Sequence, residues 1–179
     1  MSTWTIDTAH STIGFKVKHL VVSTVRGSFT DFAGSITSSD DTFEGATATF
    51  TAQVASIATH NAMRDGHLQS ADFFDAATFP TVTFTSTAFT KTADGYTVSG
   101  NLTMHGVTKE ISLAAKHNGI GTGMDGKRVV SFDATSIIDR RDFGLTYSAV
   151  VETGGLVVSN EIVLDIQIEA KATTETIWV

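Results

Sequence analysis

The sequence predicts an all-β fold: an eight-stranded antiparallel up-and-down β-barrel with a short helical insertion near residues 61–75. Three observations carry the prediction. Apolar residues recur with period two along most of the chain, short turn motifs separate the runs, and one segment loses the alternation. A two-sheet sandwich is the alternative arrangement of the same strands. Residues 1–179 read as one domain.

The strands follow in order. Ile13, Phe15 and Val17 alternate with Thr12, Gly14, Lys16 and Lys18, the pattern of a half-buried strand. A second run covers about 25–37. Ala46, Ala48, Phe50, Ala52 and Val54 alternate with Thr47, Thr49, Thr51 and Gln53. Further runs lie near 81–90, 95–104, 109–117 and 129–138. In the last, Ile162, Leu164, Ile166 and Ile168 alternate with Val163, Asp165, Gln167 and Glu169. Threonine is frequent on the polar faces, where β-branching suits an extended backbone. Asp94-Gly95 marks one hairpin and His105-Gly106-Val107 another. The spaced glycines 119, 121, 123 and 126 predict a flexible connection.

Residues 60–79 break the β pattern. Asn61 is placed to cap a helix running to about Gln69, Ser70 or Asp72 to cap a second turn, and Pro80 ends the segment. Gly66 inside that helix costs about 1 kcal/mol relative to alanine, which predicts close approach of another backbone. Phe73, Phe74 and Phe79 follow at once and need burial, so the segment reads as a cap over one barrel opening.

Composition narrows the function. With 41% hydrophobic and 17% charged residues the chain is globular, and without cysteine it has no disulfide framework or thiolate chemistry. A formal charge of -7 disfavours nucleic acid and anionic lipid surfaces as partners. The N-terminus has no basic region followed by an apolar stretch, and Asp7 and His10 interrupt it early. No apolar run approaches the roughly 18 residues of a spanning helix. The expectation is a cytoplasmic protein with no stable membrane insertion.

An eight-stranded barrel is just wide enough to be packed solid or to hold one ligand, depending on side-chain volume. Ala46, Ala48, Ala52, Ala115 and Ala134 would leave a tunnel if they face inward, but parity does not say which face is inside. Phenylalanines near the cap, Phe29, Phe32, Phe73 and Phe74, are candidates for an apolar mouth. His19 shares the parity of Ile13, Phe15 and Val17; it is a core histidine or a contact for a polar ligand group.

Catalytic and metal signals are weak. The histidines lack the His-x-x-x-His helical spacing, no Gly-x-Ser-x-Gly elbow occurs, and His10 and Ser11 point to opposite faces of a strand. Asp142-Phe143-Gly144 lacks the context of a kinase, and the glycine run 119–126 lacks the Gly-Lys-Ser/Thr of a phosphate loop. No metal and no catalytic residue is expected. Arg64-Asp65 and Asp139-Arg140-Arg141-Asp142 read first as ion pairs tying the cap to a loop, and second as a polar fringe for a ligand head group.

An ordered set of motifs resembles the YceI-like, polyisoprenoid-binding family. It runs from Trp4-x-Ile6-Asp7-x-x-His10-Ser11-x-Ile13-x-Phe15 through His19-Leu20 and Val25-Arg26-Gly27-x-Phe29. It continues with Arg64-Asp65-Gly66-His67-Leu68-x-Ser70-Ala71-Asp72-Phe73-Phe74-Asp75 and Phe79-Pro80-x-Val82-x-Phe84. Gly100-x-Leu102-Thr103-Met104-His105-Gly106-Val107-Thr108-Lys109 and Arg141-Asp142-Phe143-Gly144-Leu145 complete it, covering Trp4 to about Ala170. Tyr147 stands where similar proteins often have tryptophan, and His105 is expected at an exposed turn tip.

The resemblance implies a lipocalin-like barrel holding a long-chain isoprenoid, a quinone or a polyprenyl phosphate, for carriage, storage or sequestration. Many similar proteins are secreted to the periplasm. No cofactor is implied beyond the bound lipid, and a homodimer is compatible with it. The lining set implied is Phe15, Val17, His19, Phe29, Phe32, Phe50, Met63, Leu68, Phe73, Phe74, Phe84, Leu102, Phe132 and Phe143. Arg64, Asp65, His67, Arg140 and Arg141 are the head-group or ion-pair candidates. The alternatives are an enzyme acting on an isoprenoid and a stress-related protein with a packed interior.

Overall fold

The computed structural model describes residues 1–148 and 158–175. Among these residues eleven strands form one antiparallel sheet: β1 (Ser2–Ile6), β2 (Thr12–His19), β3 (Ser23–Phe29), β4 (Phe32–Ser38), β5 (Thr47–Gln53), β6 (Ile57–Ala58), β7 (Thr81–Lys91), β8 (Tyr96–Met104), β9 (Val107–Thr122), β10 (Arg128–Asp139) and β11 (Val158–Glu175). They make eight staves. β11 pairs with β2 through its first half and with β1 through its second, so β1 and β2 are one interrupted strand. β3 and β4, which pair with β2 and β1, form the next stave, and β5 with β6 the one after. β7 to β11 then follow as neighbours and return to β1 and β2, which closes the barrel. Closure pairs the long strands on both sides, while the two-residue β6 pairs only with β3 among the described residues.

The interruptions lie side by side at residues 7–11, 30–31 and 54–56. The sheet creases there, and local hydrogen bonds replace the lost ladder: Thr30 N donates to Ser56 O at 3.3 Å, Gln53 N to Asp31 O at 2.9 Å and Val54 N to Pro80 O at 2.9 Å. The run predicted over 25–37 is therefore two strands, and β1 and β6 are additions to the predicted set. β9 extends to Thr122, so Gly119 and Gly121 lie in a strand rather than a flexible connection, and only the turn after Thr122 breaks it. At 18 residues, β11 exceeds the predicted strand lengths because it spans both halves of a creased partner.

Pairing also settles which face is the lumen. Ala48, Phe50, Ala52, Phe15, Val17 and the even-numbered run from Ile162 to Ile168 point inward, and the threonines alternating with Ala48 and Phe50 point out. One end of the barrel is plugged. Phe43, in the loop between β4 and β5, packs against Trp4 (ring centroids 5.7 Å) and Phe132 (5.1 Å), and all three are buried. The Tyr96 hydroxyl donates to Thr42 O and pins that loop.

Helix α1 (Ala62–Gln69) lies over the other end. Asn61 Oδ1 accepts from Arg64 N at 3.0 Å, the predicted N-cap; Ser70 ends the helix, and its Oγ accepts from Asp72 N at 3.3 Å in the turn that follows, as the sequence predicted. Gly66 does not approach another backbone: a Cβ built there would meet nothing within 4 Å. Among the described residues, no helix is long and apolar enough to cross a membrane.

Candidate ligand tunnel

Two adjoining chambers that share part of their walls occupy the lumen. The deep one, of about 180 Å³, ends near Phe132 and Ala115 behind the Phe43 plug. The mouth chamber, of about 320 Å³, opens beneath α1. Phe15, Phe29, Met104, Ile138 and Leu164 line both, so they form the waist between them. The deep wall is apolar because period-two strands deliver only their inward residues to it: Ile13 and Phe15 from β2, Ala48 and Phe50 from β5, Leu102 from β8, Ile166 and Ile168 from β11.

Glycines shape this wall where rings lie flat on the sheet. Phe15 pairs across with Gly27, and a Cβ there would overlap its ring. Gly100 in β8 makes the same room for Phe84, whose ring atoms would stand 2.6 Å from an added Cβ. Larger residues at either position would push a ring into the lumen.

Most lining residues named from sequence stand on the walls. Phe50, Phe84, Leu102 and Phe132 line the deep chamber, Phe15 and Phe29 the waist, and Val17, His19, Leu68, Phe73 and Phe74 the mouth. Three do not. Met63 is 86% exposed on the outer side of α1, Phe143 is buried in the core off both walls, and Phe32 packs behind Phe50 at 6.0 Å between centroids. The set named from sequence, weighted toward phenylalanine, also missed aliphatic wall residues such as Ile36, Val98, Leu113 and Ile138. Their strand parity was the available signal. Phe43 carried none, because its inward position comes from a loop with φ of 58°.

The polar groups of the mouth beside the cap include clamps and, among the described residues, one buried donor without a partner. Arg64 and Asp65 do not tie the cap to the 139–142 loop; both hold buried Thr59. Arg64 Nε donates to Thr59 Oγ1 at 2.8 Å and Asp65 Oδ1 accepts from Thr59 N at 2.9 Å. Arg64 and His67 remain on the mouth wall, whereas Asp65 does not. His67 Nε2 meets Asp72 Oδ2 at 2.9 Å, and its ring packs edge-on against Phe73 and Tyr147. Arg141 is an exposed partner of Asp139, with Nη2 to Oδ2 at 2.6 Å, so its role is the local ion pair. That contact holds Asp139 down to about 2 and raises Arg141.

Arg140 is different. It is 3% exposed and lines the mouth chamber. Its Nε donates to Ser159 O at 3.2 Å, and Nη1 donates to Leu145 O and Tyr147 O, each at 2.7 Å. Nη2 is buried and has no hydrogen-bond partner among the described residues. Burial pushes the guanidinium pKa down, against the pull of Asp139, yet arginine stays charged in proteins. A buried donor on a charged group is costly to leave unmade, so a ligand oxygen at this position would be strongly favoured.

Other sequence candidates have structural roles. His10 Nδ1 and Lys171 Nζ converge on Asp7 Oδ2 at 3.1 and 2.8 Å, with Glu169 beside them, which ties the crease to β11. Ser11 Oγ donates to Glu169 O. His105 is half-buried rather than exposed: it packs edge-on against Phe79, with Nδ1 at 3.0 Å from Phe143 O, and Gly106 completes a two-residue turn of left-handed backbone.

Comparison with known proteins agrees with this geometry. The family model described as a YceI-like domain matches residues 4–170. A UPF0312 protein of Staphylococcus aureus (strain MSSA476) is 36% identical over 173 residues, covering 96% of each chain. The crystal structure of a Campylobacter jejuni YCEI protein superposes with a TM-score of 0.75 at 35% identity, over 94% of this chain and 96% of that one. A polyisoprenoid binding domain from Saccharophagus degradans gives a TM-score of 0.67 at 19% identity over 94% and 98% of the chains, a likeness of fold.

Proposed function

The chain belongs to the YceI-like domain family, and from that membership and its own tunnel we propose that it holds a long-chain isoprenoid lipid in the barrel without transforming it. The chain enters the deep chamber and the polar end stops at the mouth beside Arg140. One observation carries this: an apolar tunnel, closed at one end, has where it opens a buried guanidinium nitrogen with no partner among the described residues. The polyisoprenoid binding of the S. degradans domain, which shares the fold, supports the class of ligand. The chamber volumes count against a packed interior.

Within that class a phosphate suits the site better than a quinone. Among the described residues Arg140 forms no ion pair, since Asp139 is turned to Arg141. An anionic head group would neutralise the buried cation, whereas a carbonyl would only accept a hydrogen bond. Solvent extraction of purified protein followed by mass spectrometry tests the proposal, with a prenyl lipid as the expected product. Failure to recover one, together with no thermal shift on adding a long-chain prenyl phosphate, overturns it.

A further inference from the structure

The β2–β3 hairpin projects from the rim of the mouth, with Val17, Lys18, His19 and Val25 on the chamber wall at its base. Its tip is Leu20-Val21-Val22. Val21 is 73% and Val22 87% exposed, and Leu20 and Val21 both hold left-handed backbone, with φ of 53° and 66°. A β-branched residue there is a strained outlier, and a turn with two positive φ values favours Asn-Gly. Neither exposure nor backbone preference explains three apolar residues, so the fold itself gains nothing from them.

The stem carries the opposite anomaly. Residues 12–29 contain Lys16, Lys18, His19 and Arg26 and no acidic residue, in a chain of net charge -7. Lys16 and Arg26 stand directly opposite each other across the strands, a pairing that repels. Asp165 of the neighbouring strand reaches Lys16 at 2.8 Å, and among the described residues Lys18 donates only to Thr24. A basic stem behind a greasy tip is thus concentrated on one hairpin at the tunnel mouth.

We propose that this hairpin docks the barrel on an anionic phospholipid surface, with Leu20, Val21 and Val22 entering the interface and Lys18 and Arg26 meeting the head groups. The acidic balance of the whole chain, which argues against such a surface, is overridden locally because screening confines the field to about 8–10 Å. A single three-residue tip is too narrow for a stable protein interface, which takes about 800 Å² per partner, but it fits shallow insertion among lipid head groups. Docking there would put the opening against the phase in which an isoprenoid dissolves, so the inference rests on the proposed cargo.

Flotation with isoprenoid-free vesicles tests docking separately from cargo, which the extraction reads. The wild-type chain should bind vesicles of phosphatidylglycerol and phosphatidylcholine, bind phosphatidylcholine alone at least tenfold more weakly, and be released by salt. V21D with V22D, or K18E with R26E, should lower partitioning at least tenfold. L20N with V21G relieves the backbone strain, so it should melt no lower than wild type and still lose binding. Absence of binding to anionic vesicles, or full binding by the tip variants, overturns the proposal. So does a dimer in sedimentation that the tip variants dissociate, since a second copy would then cover the tip.

Discussion

Ala48→Phe should stabilise the empty barrel and abolish its response to ligand. Ala48 sits on the wall of the deep chamber, paired across with Ile36. At about 24 cal/mol per Å³ of void, a chamber of about 180 Å³ left empty costs the fold about 4 kcal/mol. A phenyl ring filling part of it should recover about 1–2 kcal/mol, raising Tm of delipidated protein by about 2–8 °C at this chain length. A prenyl phosphate at 100 times its Kd adds about 2.7 kcal/mol to the wild type through mass action. In the variant the ring occupies the ligand's place and this increment should vanish. Calorimetry or dye-based melting of both proteins, delipidated and reloaded, reads both signs at once. A lower Tm for the empty variant would mean the region is already packed and the substitution overfills it. An unchanged ligand increment would mean the lipid does not enter the deep chamber. Either result refutes the tunnel argument.

Other outcomes follow from single contacts. Gly66→Ala should raise stability by about 0.5–1 kcal/mol in denaturant melts, since its Cβ meets nothing; a loss would expose a contact that α1 makes with the ligand or with residues beyond the described set. Gly27→Ala should drive the Phe15 ring into the waist and weaken long-chain ligands more than short ones in titration, and equal losses for both would contradict that. Asp7 is held well below the ordinary carboxylate range by Lys171 first and His10 second. A depressed folded pKa contributes stability above the unfolded value of about 3.9 and loses it as pH falls. Asp7→Asn should therefore flatten the acid side of the stability curve below about pH 5 and leave its slope near neutrality alone; an unchanged acid limb would rule out that linkage.

Most long strands, the helix and its Asn61 cap were legible in the sequence because each follows from interactions between near neighbours. Alternation is a property of consecutive residues, and a cap needs only the next three. The motifs likewise identified the family, since ordered spacing survives without coordinates. The tertiary structure decided what depends on residues distant in the chain. Parity along β5 allowed Ala48 to face either way until pairing with β4 and β7 turned it inward. The crease at residues 7–11, 30–31 and 54–56 is visible only when three staves lie side by side. Asp65 and Arg141 looked equivalent to Arg140 in sequence, but charge patterning records no burial. Arg140 became the candidate head-group contact because carbonyls of Leu145, Tyr147 and Ser159 surround it while Asp139 turns to Arg141. Those partners come from a loop and from a separate strand, and their meeting is a consequence of barrel closure, which no local propensity encodes.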